Sequence, residues 1–447
     1  MPDNSLLDDF KETEIGPIPV DWEAVVIANV IDDTISGDWG KENNDEHPDW
    51  VHCQVIRGTD FPAVAAGQLA NVPERYVRPS SIKKRQLQPD DMLVEISGGS
   101  KYQPTGRILR TTPQILANAH LPVLFTNFVK LFRVDRNIAE SSFFHLFWEY
   151  LYSLGRTRIY EKRTTGIRNF KYKDFLANEI ISLPSLPEQR CIAYVLSTIQ
   201  RAIAAQDDLI AAAREVKRSL MQRLFTYGPG SEPAPTKETE IGEIPEHWKV
   251  VRLGDVLQAT QYGLSVRADR TGKYPMLRMN NLDDGRIDAS DLKYVDLDEG
   301  DFAKFRVRKR DVLFNRTNSY ELVGKTAIFD IEGDFVFASY LIRVAPDSAQ
   351  LLPEYLNYYL NWDDAQRRLK MLATRGVSQS NISATKLKRF PIGLSSIAEQ
   401  EEMARILSAA DHKIEAEEQR KAAFQALFKA MLHQLMTGQL RMKEVDL

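Results

Sequence analysis

Twelve residues near the amino terminus, Lys11-Glu12-Thr13-Glu14-Ile15-Gly16-Pro17-Ile18-Pro19-Val20-Asp21-Trp22, recur with nine identities as Lys237-Glu238-Thr239-Glu240-Ile241-Gly242-Glu243-Ile244-Pro245-Glu246-His247-Trp248. A chain written twice is constrained to fold as two related bodies. A second match closes each copy: Leu183-Pro184-Ser185-Leu186-Pro187-Glu188-Gln189 corresponds to Leu394-Ser395-Ser396-Ile397-Ala398-Glu399-Gln400, and each leads into an apolar-periodic segment. Between the copies, residues 228–236 (Gly-Pro-Gly-Ser-Glu-Pro-Ala-Pro-Thr) can sustain neither a helix nor a central strand. The expected organisation is a first body at 1–182, a long helix at 183–227, a linker at 228–236, a second body at 237–393 and a second long helix at 394–447.

In the first periodic segment Ile192, Leu196, Ile199, Ile203, Gln206, Ile210, Ala213, Lys217, Leu220 and Leu224 follow alternating steps of four and three. In the second, Met403, Leu407, Ala410, Ile414, Glu417, Lys421, Phe424, Phe428, Met431 and Leu435 keep the same offsets. A 3.5-residue apolar repeat over several turns is the pattern of a coiled-coil seam. Each helix should run for ~40 residues, or ~60 Å. A single amphipathic helix is as often an ordinary core helix, but two equivalent stripes in one chain can cover each other if packed antiparallel. Gln206, Lys217, Glu417 and Lys421 are then the polar seam positions expected to fix register.

The two bodies read as β-rich and mixed. Short apolar runs such as Met92-Leu93-Val94-Glu95-Ile96 and Asp311-Val312-Leu313-Phe314 are separated by Gly, Asn and Asp turns. A short helix is expected in each, around 143–154 and 353–371. The fold class is thus α/β in the α+β sense: two mixed domains, two long helices and an internal repeat. Arg57-Gly58-Thr59-Asp60 falls where Arg278-Met279-Asn280-Asn281 falls, and Asp91-Met92-Leu93-Val94 where Asp311-Val312-Leu313-Phe314 falls. A shared skeleton with different loop residues suits two modules that read different ligands.

A formal net charge of −4 argues against a uniformly basic nucleic-acid binder. Positive charge is concentrated instead. Arg156, Arg158, Lys162, Arg163, Arg168, Lys171 and Lys173 face only Glu161 within their stretch, and Arg367, Arg368, Arg375, Lys370, Lys386, Lys388 and Arg389 lie in an acid-free stretch of the second body. Equivalent placement points to phosphate neutralisation, which supplies affinity and register without sequence information. Base reading needs Arg or Lys for guanine and Asn or Gln for adenine. The turn clusters that could supply them are Ser97-Gly98-Gly99-Ser100-Lys101-Tyr102-Gln103 with Arg107, and Asn315-Arg316-Thr317-Asn318-Ser319 with Gln379 and Asn381. Arg57, Arg278, Asn280 and Asn281 complete the candidate set, although Asn, Ser and Gly are also default turn residues.

Taken in order, the repeated Glu-Ile-Gly-x-Ile-Pro-x-x-Trp motif, the Glu188-Gln189 and Glu399-Gln400 helix starts, and Asn315-Arg316-Thr317 with Val323-Gly324-Lys325 resemble the specificity subunits of type I restriction-modification systems. The resemblance covers essentially the whole chain. It implies two target-recognition domains, each reading half of a split double-stranded DNA target, and two helices forming an antiparallel coiled coil that measures the unread gap. It also implies two methyltransferase subunits docked on the helices and translocase-nuclease subunits recruited through them. S-adenosylmethionine, ATP and magnesium would then belong to the partners, and this chain would hold no cofactor. Glu95 and Ile96 stand where the family pattern has Asn315 and Arg316, and residues 166–170 are shorter than 376–382, so the resemblance is weaker in the first body.

Catalytic readings lack their parts. Gly324-Lys325-Thr326 ends like a phosphate-binding loop, but Ser319 stands where its first glycine is required. Cys53 and Cys191 are far apart and form no metal-ligand spacing. No apolar run approaches the ~18 residues of a membrane span, and residues 1–14 lack a secretory pattern, so a cytoplasmic protein is expected. A related two-subunit restriction-modification system, or a coiled-coil scaffold that binds no DNA, are the alternatives.

Overall fold

The computed structural model describes residues 9–100, 102–164, 167–376 and 379–442, with the backbone alone at 163 and 164. The chain forms two compact units: one runs as far as Ala205 and resumes at Lys421, and the other is Gln206–Arg420. The division falls inside both long helices, Leu186–Tyr227 and Ile397–Met436, whose 42 and 40 residues match the length read from the period.

In the first unit the opening motif folds into a hairpin, Phe10–Thr13 against Gly16–Pro19, around a turn in which Gly16 takes φ +93°. Glu23–Val26 then pairs antiparallel with Ile180–Leu183, which brings the end of the body back beside its beginning and delivers the chain to the long helix. Between them lie an antiparallel sheet in the order Ile31–Ser36, Val129–Val134, Met92–Glu95, Ile108–Arg110, and a three-stranded sheet in the order Glu74–Val77, Val51–Ile56, Val123–Phe125 with its last pair parallel. The helix Ser141–Ser153 buries Phe143, Phe144, Phe147 and Trp148 against Phe132 of the sheet. Ile192 and Leu196 from the first long helix and Leu432, Leu435 and Met436 from the second enter the same core.

The second unit repeats this order. Its hairpin is Thr236–Thr239 against Gly242–Pro245, with Gly242 at φ +92°, and Lys249–Arg252 pairs with Pro391–Leu394. The four-stranded sheet runs Leu257–Tyr262, Leu341–Pro346, Val312–Asn315, Thr326–Ile328; the three-stranded one runs Lys293–Val295, Tyr274–Leu277, Val336–Phe337, again ending in a parallel pair. The single helix expected over 353–371 is two, Pro353–Asn361 and Asp363–Leu372. Trp362 breaks it by adopting extended backbone, its buried indole donating to Gln222 Oε1 at 3.1 Å, and Asp363 and Asp364 then favour a new helix N-terminus.

The two repeated motifs of each half meet. Trp22, fully buried, donates its indole N–H to Glu188 at 3.2 Å, and Trp248 donates to Glu399 at 3.3 Å. The neighbouring glutamine bridges helix start and body. Gln189 accepts from the Glu140 amide at 2.8 Å and donates to the Pro184 and Ile138 carbonyls; Gln400 accepts from the Leu352 amide at 2.8 Å and donates to those of Ser395 and Gln350. Burial alone would push the Glu188 carboxyl up, but hydrogen bonds from Arg441, the Met442 amide and Trp22 together hold it below the usual carboxylate range.

Along the long helices Ile192, Leu196, Ile210, Leu224, Leu407, Ile414 and Leu435 are buried, and Ile199, Ile203, Leu220, Phe424 and Phe428 are half-buried. Within the second unit the polar seam positions join the helices. Gln206 donates to Glu417, which also takes hydrogen bonds from Lys413 and Arg420, and the bonds from Lys413 and Gln206 lower its carboxyl pKa. Lys217, also buried, lies 2.8 Å from Asp411 and 3.2 Å from Asp284, while Tyr358 donates its hydroxyl to Asp411 at 2.7 Å.

Two outcomes are expected. Glu188 has a lowered folded-state pKa, so it stabilises its unit above the unfolded value of about 4.3, and that stability is lost as pH falls through the folded value. Glu188→Gln should cost roughly 1.5–3 kcal/mol at pH 7 and much less near pH 3, measured by urea unfolding at both. An equal penalty at both would refute a charge-dependent clamp. Lys217→Ala, which removes the nearer of the two cations beside Asp411 and leaves Arg286 at 3.9 Å, should destabilise the second unit by roughly 1.5–3 kcal/mol, seen as a lowered thermal transition.

Candidate nucleic-acid interface

In each unit the basic stretch and the turn cluster come to one sheet edge through the same backbone connection. In the first, the Ile96 amide donates to the Phe128 carbonyl and the Phe170 amide to the Ile96 carbonyl; in the second, the Arg316 amide donates to the Tyr340 carbonyl and the Ile382 amide to that of Arg316, all at 2.8–2.9 Å. The sequence could suggest that Ile96 and Arg316 are equivalent, but only the fold brings them beside the basic segments. No group of His, Cys, Asp or Glu suited to a metal ion occurs among the described residues.

The basic stretch of the first unit forms the one-turn helix Arg156–Ile159 and a hairpin, Glu161–Thr164 against Ile167–Phe170. Its charge is partly neutralised from inside. Arg156 is paired at 2.7 Å with buried Glu179, which the charge count over 156–173 does not include, and Arg168 is paired with Glu161 at 2.8 Å. Arg158 and Lys162 are exposed, and the backbone of Arg163 lies opposite Arg168. Lys101 lies outside the described residues. Arg107 makes a two-pronged pair with buried Glu95, at 2.9 and 3.0 Å, and donates to the Gly58 carbonyl. Arg57 grips Asp60 in the same two-pronged way at the start of a short turn, with nearly half its side chain exposed.

In the second unit Arg278, Asn280 and Asn281 are engaged locally. Arg278 and Asn280 both reach Asp291, and Asn281, buried, donates to the Asp288 and Asp291 carbonyls while accepting from the Arg278 amide. Asn315 is wholly buried. Asn281 therefore braces a turn, and Asn315, buried at the end of its strand, does not face outward either. Arg368 also points inward: it donates to the Pro391 carbonyl and the Tyr359 hydroxyl, both at 2.9 Å, and stacks over Phe390. What the fold does gather is a small sheet, Thr317–Asn318, Ser380–Asn381 and Thr374–Arg375, in which Asn381 donates to the Thr317 hydroxyl. Arg375 lies over Tyr320 at 4.1 Å and Arg316 over Tyr262 at 4.9 Å, aromatic partners that the sequence reading missed although both rings occur close to basic or turn residues. Gln379, Arg375, Lys388, Arg389 and Arg367 are exposed, Arg367 pairing with neighbouring Asp364. The result is an edge with long cationic side chains at its rim and hydrogen-bonding side chains on strands inside it, suited to a polyanion with readable polar edges.

Residues 245–425 match the type I restriction modification DNA specificity domain. Over 449 residues the chain is 25% identical to the type I restriction enzyme MjaVIII specificity subunit of Methanocaldococcus jannaschii, covering 98% of this chain and 97% of that one. It is 24% identical over 405 residues to the EcoKI specificity subunit of Escherichia coli K12, covering 87% and 82%. A stretch of 205 residues is 36% identical to the M. jannaschii protein named for the MjaX specificity subunit; it spans 45% of this chain and only 48% of that relative. In fold, the chain is similar to the S subunit of a type I system from M. genitalium, with a TM-score of 0.53 at 13% identity over 93% of this chain and 96% of that one. A chain from a structure of type I system assembly gives 0.57 at 16% identity over 95% and 99%. With a domain match in its second half and relatives aligned almost end to end, the chain is similar in sequence and in fold to the specificity subunits of type I restriction-modification systems.

Proposed function

We propose that this chain selects the DNA target of a type I restriction-modification complex and leaves the chemistry to its partners. Each body, 1–182 and 237–393, reads one half of a split double-stranded target; the long helices, Leu186–Tyr227 and Ile397–Met436, pair antiparallel as a coiled coil, joined through the linker at 228–236, and set the unread gap. The observation that carries this reading is the recurrence of one skeleton in both units with different polar side chains at the corresponding edge, as two half-sites require. Two methyltransferase subunits dock on the helices, whose exposed Tyr194, Leu209, Val216 and Leu427 offer apolar contacts, and translocase-nuclease subunits join through them. S-adenosylmethionine, ATP and magnesium are used by those subunits. No helix among the described residues is long and apolar enough to cross a membrane, consistent with a cytoplasmic complex.

The contact set we propose is narrower than the full set of sequence candidates. Arg158, Arg367, Arg375 and Gln379 serve phosphates and groove edges; Arg57, Arg107, Arg156, Arg168, Arg278 and Asn280 orient loops through their carboxylates; Arg316, Thr317, Asn318 and Asn381 form the reading strands of the second body. Asn281, Asn315 and Arg368 are support.

Co-expression with the cognate methyltransferase in a methylation-free bacterium should yield adenine methylation at a bipartite motif with a fixed gap, lost when this chain is omitted. A soluble complex that methylates nothing would count against target selection. Arg367→Ala with Arg375→Ala should weaken binding to all DNA alike and reduce the salt slope by about one for each phosphate no longer neutralised; Arg368→Ala should instead lower thermal stability. Removing one heptad from both long helices should change the gap in the motif while keeping both half-sites, and an unchanged gap would sink the ruler model.

A further inference from the structure

Beyond the carboxyl ends of each parallel strand pair lies a tight turn whose two central residues are thrust outward. In the first unit the Thr126 amide donates to the Ile56 carbonyl and the Val129 amide to that of Thr126; in the second, the Ala338 amide donates to the Leu277 carbonyl and the Leu341 amide to that of Ala338. The tips are Asn127-Phe128 and Ser339-Tyr340, with Phe128 53% and Tyr340 44% exposed. A large aromatic residue is not turn chemistry, which favours Gly, Asn, Asp, Ser and Pro.

The tips are also braced. Their aromatic residues' carbonyls accept from Ile96 and Arg316, and the Phe125 and Phe337 carbonyls accept from Asp38 and Leu264. The bracing segments approach so closely that a Cβ on Gly37 would stand 2.1 Å from the Thr126 carbonyl oxygen, and one on Gly263 2.3 Å from that of Phe337. Each tip borders an open cleft. The first, about 640 Å³, is lined in part by Trp39, Arg57, Ser97, Gln103, Asn127 and Phe128; the second, about 330 Å³, by Ser265, Arg267, Arg278, Lys293, Ser339 and Tyr340. A rigid exposed ring beside a polar residue and an arginine, at the same place in both units but with different side chains, is built for selective contact.

We propose that Asn127-Phe128 and Ser339-Tyr340 are specificity-determining tips that touch base edges, one in each half-site; this rests on the DNA-reading function above. The chemistry of the first fits an A·T pair: the carboxamide can donate to adenine N7 and accept from its N6 amino group, and the phenyl ring can pack on the thymine methyl. The Asn127 oxygen already accepts from the Thr126 hydroxyl at 3.0 Å, which orients the amide and leaves its second lone pair for a base. The second tip presents two hydroxyls, each able to donate or accept, and so selects by different contacts.

The test uses the intact complex with its methyltransferase partner. Methylation motifs and binding to matched oligonucleotides are compared for the parent, Asn127→Ala with Phe128→Ala, and the near-isosteric Tyr340→Phe, whose deleted hydroxyl is at the surface. Each variant should lose discrimination at one position of its own half-site, by on the order of ten- to a hundred-fold for the double change, with the other half-site, the gap and the salt slope unchanged. An unchanged motif with uniformly weaker binding would make the tips backbone contacts, and no change at all would remove them from the interface; both overturn the proposal. If the first variant fails to assemble, Tyr340→Phe alone decides. Absence of any bipartite motif in the parent complex would instead refute the DNA-reading function.

Discussion

The carboxylate of Glu188 receives the Trp22 indole, the Arg441 guanidinium and the Met442 amide in one place, and Glu399 receives Trp248 and His247 in the other unit. Everything downstream depends on these joints. A helix start is normally left with unsatisfied amides and a free direction of approach; here the Glu-Gln pair fixes it to the opening hairpin on one side and, through the amides of Glu140 and Leu352, to the start of the body's own helix on the other. Strand pairing of Glu23–Val26 with Ile180–Leu183, and of Lys249–Arg252 with Pro391–Leu394, closes each body at the same point. A recognition surface can then vary freely, because the variable segments begin and end on a framework they do not build.

Charge is handled in two layers. Arginines that carry position are paired with carboxylates at 2.7–3.1 Å, as in Arg107 with Glu95, Arg156 with Glu179 and Arg278 with Asp291. Such pairs hold a loop in one geometry and offer little net attraction to a polyanion. The exposed cations, Arg158, Arg375, Lys388 and Arg389, are left to act at the surface, where their contribution falls with salt. This reconciles an overall charge of −4 with the proposed DNA-facing edge in each unit. It also explains why a count of basic residues overstates the contact set: Glu179 is close in space to Arg156 but outside its stretch, and Arg368 is held by a backbone carbonyl that no charge count registers.

The apolar stripe of each long helix was legible because a 3.5-residue period requires only that one face be buried; from Ile192 to Leu224 and from Met403 to Leu435 every stripe residue is buried or half-buried, with Ile192, Leu196, Leu224, Leu407 and Leu435 in the cores of the bodies. The alignment of Arg57 with Arg278 and of Asp91 with Asp311 was likewise readable, since turn and strand positions keep their chemistry when loops diverge. The break at Trp362 was not, because the segment on both sides is amphipathic and the cause, a hydrogen bond to Gln222, comes from a distant element. The inward placement of Asn281 and Asn315 was hidden for a related reason: asparagine near a turn has the same appearance in sequence whether its amide is buried or faces a ligand, and only burial decides between them.

By itself, then, the sequence determined that this protein is two copies of one plan, each closed by a long apolar-seamed helix and each carrying a concentrated basic segment. Those properties are local or periodic, so they survive without knowledge of which residues touch. Only the tertiary structure decided which cations are engaged by carboxylates, which polar side chains are buried, and that Asn127-Phe128 and Ser339-Tyr340 stand as braced tips beside the basic edges. These depend on strands distant in sequence meeting in parallel at Ile56 and Phe125, and at Leu277 and Phe337, and no spacing along the chain encodes that meeting.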